Sequence, residues 1–72
     1  MAPQVPIEQA VLEQINAAPN QRISHAALAE NLRNLGYRNF GMTLMNMNFG
    51  GQIRGTTEIE NNKGVLYYSP AL

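Results

Sequence analysis

The chain has 72 residues, a mass of 8.0 kDa, and five basic side chains balanced by five acidic ones. It contains no cysteine and a single histidine, His25. Composition therefore excludes disulfide bonds and Cys-ligated zinc, and it argues against a closed metal site or a histidine-based triad. A chain this short forms one domain with a thin core. We expect a binding module with no catalytic residues, metal, cofactor or small-molecule substrate.

The ends and the hydropathy pattern bear on location. No apolar run approaches the roughly 18 residues of a membrane span. The first residues, MAPQVP, lack the basic-then-apolar layout of a signal peptide. We expect a cytoplasmic protein with no membrane partner, and a short flexible lead-in over residues 1–5.

The charges are unevenly distributed along the chain. Residues 1–20 carry a net charge of −2, residues 21–55 carry +3, and residues 56–72 carry −1. Every cation of the middle segment is an arginine, whose planar guanidinium suits phosphates and guanine edges. Four scattered arginines are equally typical of a solvated surface, so charge alone leaves both interpretations open.

The first half of the chain predicts two helices. Helix 1 is expected over residues 6–18, because its apolar side chains recur at helical spacing and Pro19 ends the pattern: Ile7, Val11, Leu12, Ile15 and Ala18. After a short extended residue, Ile23, helix 2 is expected over residues 24–35, with Ser24 as its N-cap and Gly36 closing it. Its inward face is expected to hold Leu28, Leu32 and Leu35.

The second half predicts a third helix and a hairpin. Helix 3 is expected over residues 39–49, capped by Asn39, with Phe40, Leu44 and Met47 facing inward. Beyond two glycines, residues 52–68 alternate as a half-buried strand does and then become rich in strand formers. We predict a two-stranded β-hairpin with about five residues per arm around a loop at residues 61–64, ended by Ser69-Pro70.

Helix, short extended segment, helix, helix and hairpin is an order that resembles the winged helix-turn-helix family over residues 7–68. The spacing of Phe40, Leu44, Met47, Gly51 and Ile53 is similar to that of the family's third helix and the start of its wing. The resemblance implies a small α+β fold of three helices followed by a two-stranded wing. It also implies DNA binding, with helix 3 in the major groove and the wing on the backbone or minor groove.

A narrower likeness points to RNA. Gly36-Tyr37-Arg38-Asn39-Phe40, together with Leu44, resembles the signature of LOTUS domains, which are winged-helix relatives associated with RNA and with helicase partners. The chain departs from that pattern in a short helix 2 and in Met42-Thr43, which replace the usual polar and acidic residues.

On the outward side of helix 3, two kinds of side chain suggest two kinds of partner. Asn46 is suited to bond adenine N6 and N7, with Arg38, Arg54 and Lys63 on phosphates. The remaining outward residues are Met42, Met45 and Phe49, which carry no hydrogen-bond donor and suit a hydrophobic protein partner or a dimer seam. Nucleic-acid binding is the preferred hypothesis, most simply to DNA, and protein association is its competitor.

Three further residues have structural interpretations that outweigh functional ones. His25, in the first turn of helix 2, is expected to make a local contact. Tyr67 and Tyr68 point to opposite faces of a strand, so one is expected in the core, and the other is a candidate for stacking on a base.

Overall fold

The computed structural model describes residues 5–71 and has a small α+β fold, with three α-helices and a three-stranded antiparallel sheet. The elements in chain order are α1 (Ile7–Ala17), a 3₁₀ turn (Pro19–Gln21), β1 (Ile23–Ser24), α2 (His25–Asn34), α3 (Gly41–Phe49), β2 (Ile53–Glu60) and β3 (Lys63–Pro70). Of the predicted lead-in, all but Val5 lies outside the described residues. The Val5 carbonyl accepts a 2.5 Å hydrogen bond from the Tyr37 hydroxyl, which holds the start of the described chain against the core.

Local signals set the boundaries of α1 and α2. α1 ends at Ala17 because Ala18, the residue before a proline, is extended with ψ 153°. The Ser24 hydroxyl accepts the Ala27 N–H at 3.2 Å, which confirms the predicted N-cap of α2.

The end of α2 is a left-handed glycine. Gly36 has φ +99°, and the following N–H, that of Tyr37, bonds the Leu32 carbonyl at 3.0 Å. This is a Schellman closure, in which a residue beyond the helix satisfies a carbonyl of its last turn. The helix therefore stops where the glycine predicts.

Two leucines assigned to the inward faces were predicted wrongly. Leu35 is 48% exposed, because the chain has already left the α-helix at Asn34 and turns at Gly36. Leu12 is 36% exposed, since the buried stripe of α1 lies over Ala10, Val11 and Ile15 instead.

The sheet has three strands rather than the two predicted for the wing. β1 pairs antiparallel with β3, with Ile23 opposite Tyr68 and Ser24 opposite Tyr67. The strand order is β1-β3-β2, so β3 is central and β2 is an edge. A two-residue strand has no signal of its own, and it forms because β3 offers it a ladder of hydrogen bonds.

The hairpin is longer than predicted, with eight residues in each arm. Its turn is Asn61-Asn62, both at positive φ (51° and 65°), which is the type I′ geometry that suits a two-residue connection. Lys63 therefore lies in β3, opposite Glu60, instead of in the loop. Pro70 also lies inside β3. Its ring nitrogen faces the side of β3 on which β1 pairs, but β1 ends before reaching Pro70, so no hydrogen bond between strands is lost.

One core joins all of these elements. The predicted inward residues of α3, which are Phe40, Leu44 and Met47, are all buried. The other buried apolar residues are Ala10, Val11, Ile15, Ile23, Leu28, Ala29, Leu32, Tyr37, Ile53 and Tyr68. Across α1 and α2, Asn31 donates a 3.0 Å side-chain hydrogen bond to Gln14. Within residues 5–71, no helix combines the length and the apolar character needed to cross a bilayer.

Candidate nucleic-acid interface

α3 has one buried side and one open side. Leu44 and Met47 are buried, whereas Met42, Met45 and Phe49 are 66%, 49% and 80% exposed. The exposed three follow a spacing of three and then four residues, so they form one stripe along the helix. Asn46 is also exposed, next to this stripe. The open side of α3 therefore presents an amide beside three large apolar side chains.

The beginning of α3 differs from its prediction. The helix starts at Gly41 rather than residue 39, and Phe40 stands at the cap position without a side-chain hydrogen bond to the helix. Asn39 is in the left-handed region at φ +56°, so it is part of the turn that leads into the helix and does not cap it. Burial of Phe40 in the core, instead of a polar cap, holds this end of α3 in place.

The other end of α3 is fastened to the wing. Gly51 (φ +79°) lets the chain reverse, and the Gln52 N–H bonds the Met47 carbonyl at 2.9 Å. The Asn48 side-chain oxygen then accepts the Gly55 N–H at 3.1 Å, which ties α3 to β2. Asn48 was not singled out from the sequence, because its partner is a backbone group seven residues away and outside the helix.

The residues predicted to contact nucleic acid do not all lie together. Arg38 is exposed in the loop before α3, Asn46 is exposed on α3, and Arg54 is exposed on β2 just after it. Lys63 is at the far end of the hairpin, opposite Glu60. At about 3.3 Å per strand residue it is roughly 20 Å along the wing from Arg54. The first three therefore lie on or beside α3, and Lys63 belongs to the wing tip.

A further cation, Arg33, lies near Arg38. Both line a surface hollow of about 430 Å³ together with His25 and the start of α3. The Arg33 guanidinium is 5.9 Å from the centre of the Phe40 ring, close enough for a cation–π contact. Helical spacing alone places Arg33 away from the inward leucines of α2 but does not connect it with Arg38, because the turn between the helices decides that proximity.

On the outer face of the sheet, charges are paired within the chain. Arg22 forms an ion pair with Glu58, and its guanidinium lies 3.8 Å from the centre of the Tyr67 ring. The Tyr67 hydroxyl donates to Glu60, and this hydrogen bond is the main reason why the pKa of Tyr67 is raised. Arg22 covers one side of the Tyr67 ring, which favours packing over base stacking for this residue.

Tyr68 is the tyrosine that enters the core. Its hydroxyl is 3.1 Å from Nδ1 of His25, a residue 43 positions away in the chain, so His25 makes a long-range contact and not a local one. Burial raises the pKa of the Tyr68 hydroxyl above its usual value. The pair joins β3 to the first turn of α2.

Because of this burial, the free energy of unfolding is expected to fall in alkaline solution. Between pH 10 and the raised pKa of folded Tyr68, the unfolded chain has lost the tyrosine proton while the folded chain keeps it, so the unfolded state binds fewer protons. The free energy of unfolding is therefore expected to decline as the pH rises above about 10. Urea unfolding at pH 8 and pH 10.5 should show a smaller decline for Tyr68→Phe than for the unmodified chain. An equal decline in both proteins would contradict the assignment to Tyr68.

Among residues 5–71, no three His, Cys, Asp or Glu side chains are grouped so that they could hold a metal ion. No protein-family model, curated protein or solved structure matches the chain.

Proposed function

We propose that the chain is a winged-helix module that binds nucleic acid, with duplex DNA as the preferred ligand and α3 as the element that enters the major groove. The order of the helices and the β1-β3-β2 sheet support the winged-helix assignment. The observation that carries the proposal is the charge pattern around α3. From residue 31 to residue 57 every charged side chain is an arginine, and in the chain the exposed Arg38 precedes and the exposed Arg54 follows an uncharged, open helix.

In this proposal each exposed polar residue has one role. Asn46 reads an adenine through a paired hydrogen bond, and Met45 beside it offers an apolar contact for a thymine methyl group. Arg38 and Arg54 bind phosphates on the two sides of the groove, and Lys63 reaches the backbone farther along the duplex. The ion pair of Arg22 with Glu58 reduces the repulsion between the wing and the DNA. The proposal assigns the chain a cytoplasmic binding role and no reaction.

The salt dependence of binding tests this proposal. Three phosphate contacts give a slope of about −3 for log K against log salt, since each contact contributes about −0.9. The double variant Arg38→Gln, Arg54→Gln is expected to lower the slope to about −1 and to weaken binding at least tenfold at about 50 mM salt. Fluorescence anisotropy with a labelled random-sequence duplex measures both quantities. A single-stranded RNA of equal length tests the likeness to LOTUS domains.

A control variant separates the effect of local contacts on affinity from the effect of net charge. Asn16→Asp with Asn20→Asp lowers the net charge by the same two units at exposed positions on α1 and the turn after it. We expect its affinity to stay within about threefold of the unmodified chain, because exposed charges beyond a Debye length are largely screened. Equal losses in the two double variants, or no binding of the unmodified chain to either nucleic acid, would refute the proposal.

Docking of a protein partner is the second candidate function, and the exposure of Phe49 favours it. A phenylalanine that is 80% exposed, in one stripe with Met42 and Met45, is an apolar patch of the kind that marks interaction sites. α3 also contains no charged residue, unlike most helices that read DNA. Met42→Ser with Met45→Ser should abolish such docking, whereas binding to the random-sequence duplex should keep a salt slope of about −3, because that slope reports only the phosphate contacts.

A further inference from the structure

The outer edge of β2 is open, and the alternation of hydrogen bonds along the strand identifies which backbone groups face this edge. The Gly55 N–H bonds Asn48 instead of β3, so Gly55 points its backbone groups away from the sheet. In an antiparallel ladder this orientation repeats every second residue. Thr57 and Ile59 therefore also direct their N–H and C=O groups to the open edge, and no strand within residues 5–71 pairs there.

Asn48 covers this edge only at Gly55, near the start of β2. It occupies the Gly55 N–H, and a Cβ atom at residue 55 would lie 3.1 Å from its amide nitrogen. Residues 56–60 beyond it are exposed. An exposed strand edge is a template for another strand, and proteins usually protect it with charges, prolines or bulges. The free part of β2 contains no proline; its charges are Glu58 and Glu60, and the opposite charge, Arg54, lies at the start of the same strand.

We propose that the free edge of β2 pairs antiparallel with the same edge of a second copy of this chain, around a two-fold axis at Thr57. In this register Arg54 stands opposite Glu60 of the second copy, and the symmetry repeats the pair. Thr57 meets its own counterpart, which is a favourable cross-strand pair. The 75% exposed Ile59 stands opposite Gly55 of the second copy, where it can donate its N–H to the Gly55 carbonyl while the Gly55 N–H stays with Asn48. The two Arg54–Glu60 pairs are thus complementary on the outer face of the joined sheet.

Neighbouring registers are less favourable. Moving the axis to Glu58 places that carboxylate opposite its own copy, and like charges directly opposite each other are destabilising. Moving it to Thr56 places Ile59 of the second copy against Ile53, which is buried beside the end of α3. It also directs Arg54 to Glu58, which Arg22 already binds. Only the axis at Thr57 pairs Arg54 with Glu60, and the Tyr67 hydroxyl holds Glu60 on the outer face of the sheet.

Charge reversal tests this pairing without nucleic acid, so its outcome is independent of the proposed function. Sedimentation equilibrium of the unmodified chain at low salt should show a dimer fraction that rises with concentration between about 10 µM and 1 mM. Arg54→Glu and Glu60→Arg should each raise the dissociation constant at least about tenfold, because each variant faces two like-charged pairs. Circular dichroism verifies that both variants are folded.

The decisive sample is a mixture of the two single variants. A heterodimer of Arg54→Glu with Glu60→Arg contains two favourable pairs, so the mixture should associate with a dissociation constant within about threefold of the unmodified homodimer, although neither variant does so alone. Met42→Ser with Met45→Ser should leave the dimer intact. A chain that is monomeric throughout this range, a mixture that stays monomeric, or a dimer lost only in the methionine variant would overturn the proposal.

Discussion

Replacing Leu44 by alanine is expected to lower the free energy of unfolding by about 2–5 kcal/mol. Leu44 is 1% exposed and joins α3 to the core. Truncation of a buried leucine costs about 2–5 kcal/mol, because the transfer free energy of the lost methyl groups adds to the cost of a cavity. A domain of this size has a total stability of roughly 4–11 kcal/mol. The substitution therefore removes a large share of the free energy of unfolding.

The adjacent residue supplies the matched control. Met45 is 49% exposed on the other side of the same helix, so Met45→Ala removes a side chain of similar size with little loss of packing. We expect it to change the free energy of unfolding by less than about 0.5 kcal/mol. Urea unfolding followed by circular dichroism compares the two variants. Similar losses of unfolding free energy for Leu44→Ala and Met45→Ala would mean that α3 does not turn its Leu44 side toward the core.

Gly36→Ala is expected to lower the free energy of unfolding by about 1–2 kcal/mol, because a Cβ atom at φ +99° clashes with its own backbone. The closure of α2 depends on this conformation, since it directs the Tyr37 N–H to the Leu32 carbonyl. The same turn brings Tyr37 to the Val5 carbonyl and leads to Arg38. The loss of unfolding free energy is therefore expected to come from backbone strain, with no change in the buried area.

Gly41→Ala is the matched control, and it is expected to change the free energy of unfolding in the opposite direction. Gly41 is the first residue of α3, its φ is negative, and a Cβ atom there would meet nothing within 4 Å. Alanine lowers the entropy of the unfolded chain and should raise the free energy of unfolding by about 0.4–1 kcal/mol. Chemical denaturation of both variants gives the comparison. If Gly36→Ala proved neutral, the left-handed closure of α2 would be wrong.

The two proposals about binding interact in a measurable way. A dimer joined through β2 carries two copies of α3, but its Arg54 side chains are paired with Glu60, so each copy keeps Arg38 and Lys63 for phosphates. These four contacts should give a slope of log K against log salt of about −4 at protein concentrations where the dimer forms, instead of about −3. Arg54 takes part in both proposed interactions, whereas Arg38 takes part in nucleic-acid binding alone. Arg38→Gln is therefore the variant that isolates the nucleic-acid interface.

The sequence predicted the helices and their buried faces well, because the signals involved are local. Val11, Ile15, Leu28 and Leu32 recur at helical spacing and are all buried. Predictions failed where a neighbouring segment determines the outcome. Leu35 has the correct spacing for α2, but the turn at Gly36 carries it into solvent. The cap expected at Asn39 failed for the same kind of reason, since burial of Phe40 determines where α3 starts.

The candidate site could be predicted only in part. Exposure of Met42, Met45, Asn46 and Phe49 follows from helical geometry once the inward face is known. The contacts at its borders depend on turns and on the pairing of separate segments, and periodicity carries no information about them. The ion pair of Arg22 with Glu58 spans 36 positions. The proximity of Arg33 to Arg38 depends on the turn between two helices.

By itself, the sequence determined three helices, a hairpin at its end, and a basic middle segment, because side-chain spacing, caps and turn residues act within a few positions. The tertiary structure alone decided that Ile23 and Ser24 become a third strand against β3 and that β2 becomes an open edge. It also decided which tyrosine is buried and which one lies beneath an arginine. The physical reason is that strand pairing and burial depend on surfaces brought together by folding, and these surfaces do not exist in any short segment of the chain.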